Sequence, residues 1–340
     1  MPKIRYLDKF FSPERMAIVD ISNGIIEDYQ AQGFRLTLRQ LYYRLVAGDH
    51  FPDNRKWSWT GTKWVRDPNG TKNAEPNYNW LGELVSDARL SGLIDWNAIE
   101  DRTRELGVNS HWNAPTDIID SAAESYQNDL WRWQPVRPEV WVEKDALEGI
   151  VASACRPLDV PYFSCRGYTS LTAIWEAAQR MLAHRQNRVI YEGPHKRKNG
   201  QKFKQKIIVF HLGDHDPSGI DMTRDIRERL EMFMGEEVDL RRIALNMDQV
   251  EKYGPPPNPA KTTDSRFRAY LEQYGTESWE LDALEPKVMV GLIQANLRRV
   301  MDKARFQEAV DAMEKGRKEL KAISNEYQKA VQAVLGEEDE

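Results

Sequence analysis

An apolar run, Ile207-Ile-Val-Phe-His-Leu212, leads through Gly213 to two carboxylates one residue apart, Asp214 and Asp216, and then to a turn at Pro217-Ser-Gly219. The run is β-branched and bounded by turn residues, so it reads as a strand. Residues i and i+2 of a strand share a face, which predicts that Asp214 and Asp216 point together into a crevice at the strand's carboxyl end. Open parallel sheets bind their ligands at that edge. A second strand-like run, Glu139–Glu143, also closes on a carboxylate. Three acidic oxygen donors at one sheet edge suit Mg²⁺, a hard cation that keeps waters and phosphate oxygens around it, with Mn²⁺ able to substitute. Glu143, Asp214 and Asp216 are therefore the candidate metal ligands of an enzyme acting on phosphates.

The surrounding pattern predicts an α/β fold. Strands are expected near 139–143, 160–164, 206–212 and 240–246, with helices near 146–155, 170–184 and 220–233. Such alternation implies a mostly parallel, doubly wound sheet covered on both faces. Residues 1 to about 48 read as helices. Ser12 looks like a cap with Pro13 at the first helical position, and apolar residues at 38, 41, 42, 45 and 46 keep a helical period. Residues 49–77 are polar and tryptophan-bearing and read as a loop, whereas 78–94 are helical again. A short strand-like basic segment then carries Arg102 and Arg104, which suggests a winged helix-turn-helix. From about 286 the chain is helical and highly charged and ends in an acidic tail. The expected divisions are 1–132 (winged helix), 133–285 (metal-binding α/β) and 286–340 (helical segment).

With 340 residues, 41% hydrophobic and 30% charged, the chain is long enough for two or three folded domains. No apolar run reaches membrane-spanning length, and the start lacks a basic-then-apolar signal segment, so the expectation is no membrane partner. Cys155 and Cys165 are the only cysteines, which fits a reducing compartment and the cytoplasm. A net charge of −5 does not advertise nucleic-acid binding by the whole molecule. Local charge does: Lys196, Arg197, Lys198, Lys202 and Lys204 crowd one loop that could follow a phosphate backbone. The plainer reading of that loop is a solubilising surface.

Three motifs carry a family resemblance: Val142-Glu-Lys-Asp-Ala146, Arg166-Gly-Tyr-Thr-Ser170 and Gly213-Asp-His-Asp-Pro-Ser-Gly-Ile-Asp-Met222. Together they resemble a Toprim domain of the kind found in the A subunit of topoisomerase VI and in the meiotic double-strand-break transesterase. Upstream, Arg39-Gln-Leu-Tyr-Tyr43 stands where that family has its catalytic-tyrosine motif on a winged-helix domain. Over roughly residues 30–290 the motif order is similar. The resemblance implies that Tyr43 attacks a DNA phosphodiester and stays on the 5′ end, that Arg39 sits beside the scissile phosphate, and that Glu143, Asp214 and Asp216 hold Mg²⁺. It also implies double-stranded DNA as partner, with Arg44, Arg102 and Arg104 near it and the protein at the nucleoid. A homodimer in which the tyrosine of one subunit meets the metal site of the other is implied as well. Three positions depart from the family pattern: Gln40 for Asp, Thr169 for Pro and Ser218 for Tyr. The chain lacks a Walker A loop, so ATP-driven strand passage would need a separate ATPase subunit.

Plainer readings compete. A Tyr-Tyr pair on an amphipathic helix is usually packing. Asp214, Asp216, Ser218, Gly219 and Asp225 match much of a calcium loop, but a strand rather than a helix precedes them and Pro217 is awkward there. His211 and His215 read as strand-end residues rather than metal ligands, the cysteines as core, and the tryptophans of 57–80 as loop anchors. The alternatives to transesterification are a Toprim nuclease without a covalent intermediate and a non-catalytic DNA-binding protein.

Overall fold

The computed structural model describes residues 3–99, 110–186, 189–190, 200 and 202–335. Helix α1 (Pro13–Ala31) starts at the expected Ser12 cap, whose hydroxyl accepts from the Arg15 N–H at 3.3 Å. Helix α2 (Leu38–Ala47) follows, and a two-stranded hairpin, β1 (Trp57–Trp59) with β2 (Trp64–Arg66), replaces the expected loop. Helix α3 (Glu75–Leu90) completes the N-terminal unit. Ile18, Ile26, Leu41, Leu45, Leu81 and Leu84 from the three helices share one core, each contributing about 1.5–3 kcal/mol by burial. The expected wing strand does not form over 92–99, which is mostly turn with an Ile99–Leu36 bridge. Arg102 and Arg104 lie outside the described residues.

After α4 (Pro115–Ser125) the chain alternates as predicted: β3 (Val136–Val142), α5 (Glu148–Cys155), β4 (Tyr162–Ser164) and α6 (Leu171–Gln186). A small antiparallel pair, β5 (Val189–Ile190) and β6 (Lys202–Phe203), precedes β7 (Lys206–Leu212), α7 (Pro217–Met234), β8 (Asp239–Ala244) and α8 (Met247–Tyr253). A second short pair, β9 (Asn258–Pro259) and β10 (Glu277–Ser278), flanks α9 (Phe267–Tyr274). Helices α10 (Pro286–Val300), α11 (Lys303–Asn325) and α12 (Tyr327–Leu335) close the chain. No helix among the described residues is long and apolar enough to cross a membrane.

The protein is thus a mixed α/β molecule around a parallel four-stranded sheet of order β4-β3-β7-β8. Both faces are covered, so its central strands are continuously apolar. Val140, Val142, Ile208 and Phe210 pack in one core with residues of α5 and α10, while Trp141, Ile207 and Val209 face residues of α6 and α7. The order reverses between β3 and β7, the first and third strands of the sheet. Their carboxyl ends therefore flank a topological switch point, where such sheets form a ligand crevice.

Candidate active site

Glu143 follows β3 directly, and Asp214 and Asp216 follow β7 across the switch point. Strand β7 ends at Leu212, so alternation along a strand is not what orients the two aspartates; the turn into α7 does that. Asp216 is the N-cap of α7, its Oδ1 accepting from the Gly219 N–H at 2.6 Å and the Ser218 hydroxyl at 2.9 Å. Ser218, one of the family departures, thus braces a candidate ligand. Gly219 is required by space, since a Cβ there would strike the carbonyl oxygen of Asp214. Beneath the turn, Arg242 donates to the carbonyls of Gly213 (2.9 Å), Asp214 (2.6 Å) and Gly219 (2.9 Å).

The three carboxylates gather at one turn, but each is engaged by protein donors. Glu143 Oε2 accepts from the Asp214 N–H at 2.8 Å, Asp214 Oδ1 accepts from the Leu281 N–H at 2.8 Å, and Asp214 Oδ2 lies 2.9 Å from Lys144 Nζ. Among the described residues, no three His, Cys, Asp or Glu side chains are arranged to hold a metal ion. The donor chemistry nevertheless fits a hard divalent cation. Burial raises the Glu143 acid, and the Asp216 carboxylate adds to this. Asp214 is pushed up to about 8 by burial; Lys144 opposes this, and the Glu143, Asp282 and Glu280 carboxylates add to it.

On the opposite wall stands α2. Its capping box uses Gln40, the residue that replaces the family's Asp: Gln40 Oε1 accepts from the Thr37 N–H at 2.8 Å, and the Thr37 hydroxyl accepts from the Gln40 N–H at 3.3 Å. The two tyrosines differ in role. Tyr42 is wired into the fold, its hydroxyl oxygen accepting from the Ala74 N–H at 2.7 Å. Tyr43 is 3% exposed, and among the described residues its hydroxyl has only the long Asn258 Nδ2 hydrogen bond at 3.4 Å. Burial, then Glu280 and Asp282, push the Tyr43 hydroxyl well above its usual range, with Arg39 opposing. The Arg39 guanidinium lies 5.8 Å from the Tyr43 ring centroid, pairs with Glu280, and reaches Asp282 at 3.1 Å.

Glu280 joins the two walls. Besides Arg39, it binds Lys144 Nζ at 2.5 Å, and Lys144 also reaches Asp282 at 3.0 Å. Burial works against the Glu280 charge, but Lys144 and Arg39 prevail and hold its acid down to about 2. Lys144 is likewise kept protonated: burial opposes its charge, and Asp282, Asp214 and Glu280 outweigh that. Between the walls lies a cleft of about 850 Å³ lined by Arg39, Tyr43, Lys144, Asp214, Asp216 and Glu280, within the ~300–1,000 Å³ of typical ligand sites.

The structure brings Tyr43, Arg39, Asp214 and Asp216 of one chain to the cleft, where the resemblance implied the tyrosine of one subunit beside the acids of another; Glu143 does not line it, and Lys144, Glu280, Asp282 and Asn258 were not expected there. Lys144 had a signal, standing next to Glu143 in the motif; the others lie in short elements or irregular chain without a periodic pattern and had none. The proposed DNA contacts are elsewhere. Arg44 pairs with Glu285 at 2.8 Å, and Lys202 and Lys204 are exposed at β6. Lys196, Arg197 and Lys198 lie outside the described residues. His211 and His215 are buried and turned onto Thr223 and Tyr270, at 2.9 and 2.8 Å, rather than onto the carboxylates.

Fold and cleft together define a mixed α/β protein whose switch-point crevice sets buried acids against an arginine, a lysine and a tyrosine. No protein-family model matches the chain, and no curated protein matches it either.

Proposed function

We propose that this cleft breaks and rejoins DNA by tyrosine transesterification, in the manner of the topoisomerase VI A subunit. On this reading the sheet is a Toprim domain and the α1–α3 unit a winged-helix relative. The observation that carries the proposal is that Tyr43, Arg39, Asp214 and Asp216 of one chain line a single cleft. In the step, Tyr43 Oη forms a bond to phosphorus while the bond from phosphorus to the 3′ oxygen breaks. The tyrosine gives up its proton and the departing oxygen takes one up. Arg39 and Lys144 are the fixed cations that can meet the non-bridging oxygens, where charge grows in the transition state. When bound by Glu143, Asp214 and Asp216, Mg²⁺ supplies further positive charge for the phosphate and the leaving oxygen. Glu280 must first release both cations. A homodimer on double-stranded DNA at the nucleoid, with an ATPase supplied by another chain for strand passage, completes the proposal.

Hydrolysis is the second reading. It is favoured by the burial and raised pKa of the Tyr43 hydroxyl, which make it a poor nucleophile as it stands. The test uses supercoiled plasmid with Mg²⁺ or Mn²⁺, stopped in detergent with and without protease. Wild type, Tyr43→Phe, Asp214→Asn and a mixture of the two variants are compared. Protein-linked 5′ ends from wild type, absent in both single variants, are expected. Free ends made equally by wild type and Tyr43→Phe would overturn transesterification in favour of hydrolysis, and no breaks from any would point to DNA binding without catalysis.

A further inference from the structure

The β1–β2 hairpin carries its aromatic residues on one face. Trp57 and Trp59 are alternate residues of β1, Trp64 and Arg66 alternate residues of β2, and the register pairs Trp57 with Arg66 and Trp59 with Trp64. All four side chains therefore lie on the same side. The inner pair is anchored: Trp57 Nε1 donates to Asn77 Oδ1 at 2.9 Å, and the Arg66 guanidinium stacks 4.1 Å from the Trp57 ring centroid. The outer pair is not. Trp59 and Trp64 meet at 5.5 Å between centroids and 56° between planes, and Trp59 is 49% exposed. Neither indole donates a hydrogen bond among the described residues. Both line the cleft that holds Arg39, Tyr43 and Asp214. A loop anchor turns its ring inward and satisfies its N–H, as Trp57 does; Trp59 does neither.

We propose that Trp59 and Trp64 form a stacking platform for an unpaired base of the DNA strand whose phosphate enters the cleft. The proposal rests on reading the cleft as a DNA site and adds the kind of DNA it takes. Every base has a π-face, so exposed indoles bind bases without regard to sequence, provided the base is out of the duplex stack. Cations sit where the flanking phosphates of such a strand would lie. Exposed Lys63 stands in the turn between Trp59 and Trp64, and Lys261 is on the cleft wall. Gly61, at φ +92°, lets that turn close with its tip clear of other atoms. The preferred substrate is then DNA with an unstacked base near the phosphate to be attacked, such as a bulge, fork or melted site, rather than intact duplex.

The test is binding of fluorescein-labelled oligomers by anisotropy, with the full chain in EDTA so that no cleavage occurs. Oligodeoxythymidylate is compared with an equally long, equally charged oligomer of abasic tetrahydrofuran residues. Wild type should prefer the base-bearing strand by about tenfold, since stacking changes affinity roughly five- to a hundredfold per base. Trp59→Ala should abolish that preference while leaving abasic binding unchanged, and Trp59→Phe should largely restore it. Equal affinity of wild type for both strands would overturn the platform. So would a Trp59→Ala variant that weakens both strands alike, or one that keeps the preference while losing self-association, which would make the face a contact between copies. Cleavage plays no part in this readout. Base-dependent binding without covalent links would sink transesterification and keep the platform, and the reverse pattern would do the opposite.

Discussion

Glu280 holds two cations of the cleft, Arg39 and Lys144, so neutralising it should weaken the fold and strengthen anion binding at once. In Glu280→Gln the side chain keeps its size and loses its charge. The fall of its acid from 4.5 to about 2 converts to about 3 kcal/mol of preference for the charged form. With the side chain 22% exposed, solvent screening trims this to about 2–3 kcal/mol. The sign follows from a depressed acid: the contribution is present above about pH 4.5 and is lost as pH falls toward 2. Urea unfolding at pH 7 should therefore show a lower midpoint for the variant at unchanged slope, and the gap should narrow as pH falls from about 4.5. Binding should move the other way. Arg39 and Lys144 no longer need to be taken from a carboxylate, so a duplex oligomer in EDTA should bind about ten- to a hundredfold more tightly, the ceiling set by the same free energy. An unchanged urea midpoint, or DNA binding that is unchanged or weaker, would refute the view of Glu280 as an internal stand-in for phosphate.

Two further outcomes are expected. His211 is fully buried, and burial and then Arg242 push it down to about 3. The unfolded chain takes a proton below about pH 6.5 that the folded chain refuses, so stability falls as pH drops from there toward 3. In His211→Asn the loss between pH 7 and pH 5, measured by urea unfolding, should shrink by about 2 kcal/mol. If the exposed Lys202 and Lys204 track phosphates, replacing both by Ala should flatten the dependence of log affinity on log salt by about 1–2; an unaltered slope returns that loop to a solubilising role.

The parts of the fold that read well from sequence are those with a strong local period. Strand β7 runs over Lys206–Leu212, as its β-branched run between turn residues predicts, α1 starts at its Ser12 cap, and α2 shows its apolar stripe. The hairpin did not read, because Trp-Ser-Trp and Trp-Val-Arg are three residues each and Thr60–Lys63 has none of the Asn-Gly or Asp-Gly chemistry that marks tight hairpins. The aspartate pair was placed in the right crevice for the wrong local reason. Glu280 and Asp282 were illegible because their meaning is tertiary. They meet Lys144 across more than 130 residues, and a carboxylate in a short element or irregular chain carries no periodic signature of its partner.

The family resemblance puts the tyrosine of one subunit against the acids of another, whereas Tyr43 and Asp214 of one chain share a cleft. The charged contacts that hold α2 in place bear on this difference. Arg39 pairs with Glu280 and Asp282, and Arg44 with Glu285, and both arginines are about a third or more exposed. Only the Arg44–Glu285 pair is exposed on both sides and worth about 0–1 kcal/mol; Arg39 reaches carboxylates that are 22% and 0% exposed. Arg39 thus adds to what holds α2 in place, alongside the fully buried Leu41 and Leu45. A site shared between subunits would require α2 to leave these contacts and re-form them between two copies, as in a domain swap. The two arrangements part company in the mixed-variant reaction. A site shared between subunits rebuilds one intact pairing from Tyr43→Phe and Asp214→Asn chains and regains cleavage. A site confined to one chain leaves every cleft broken.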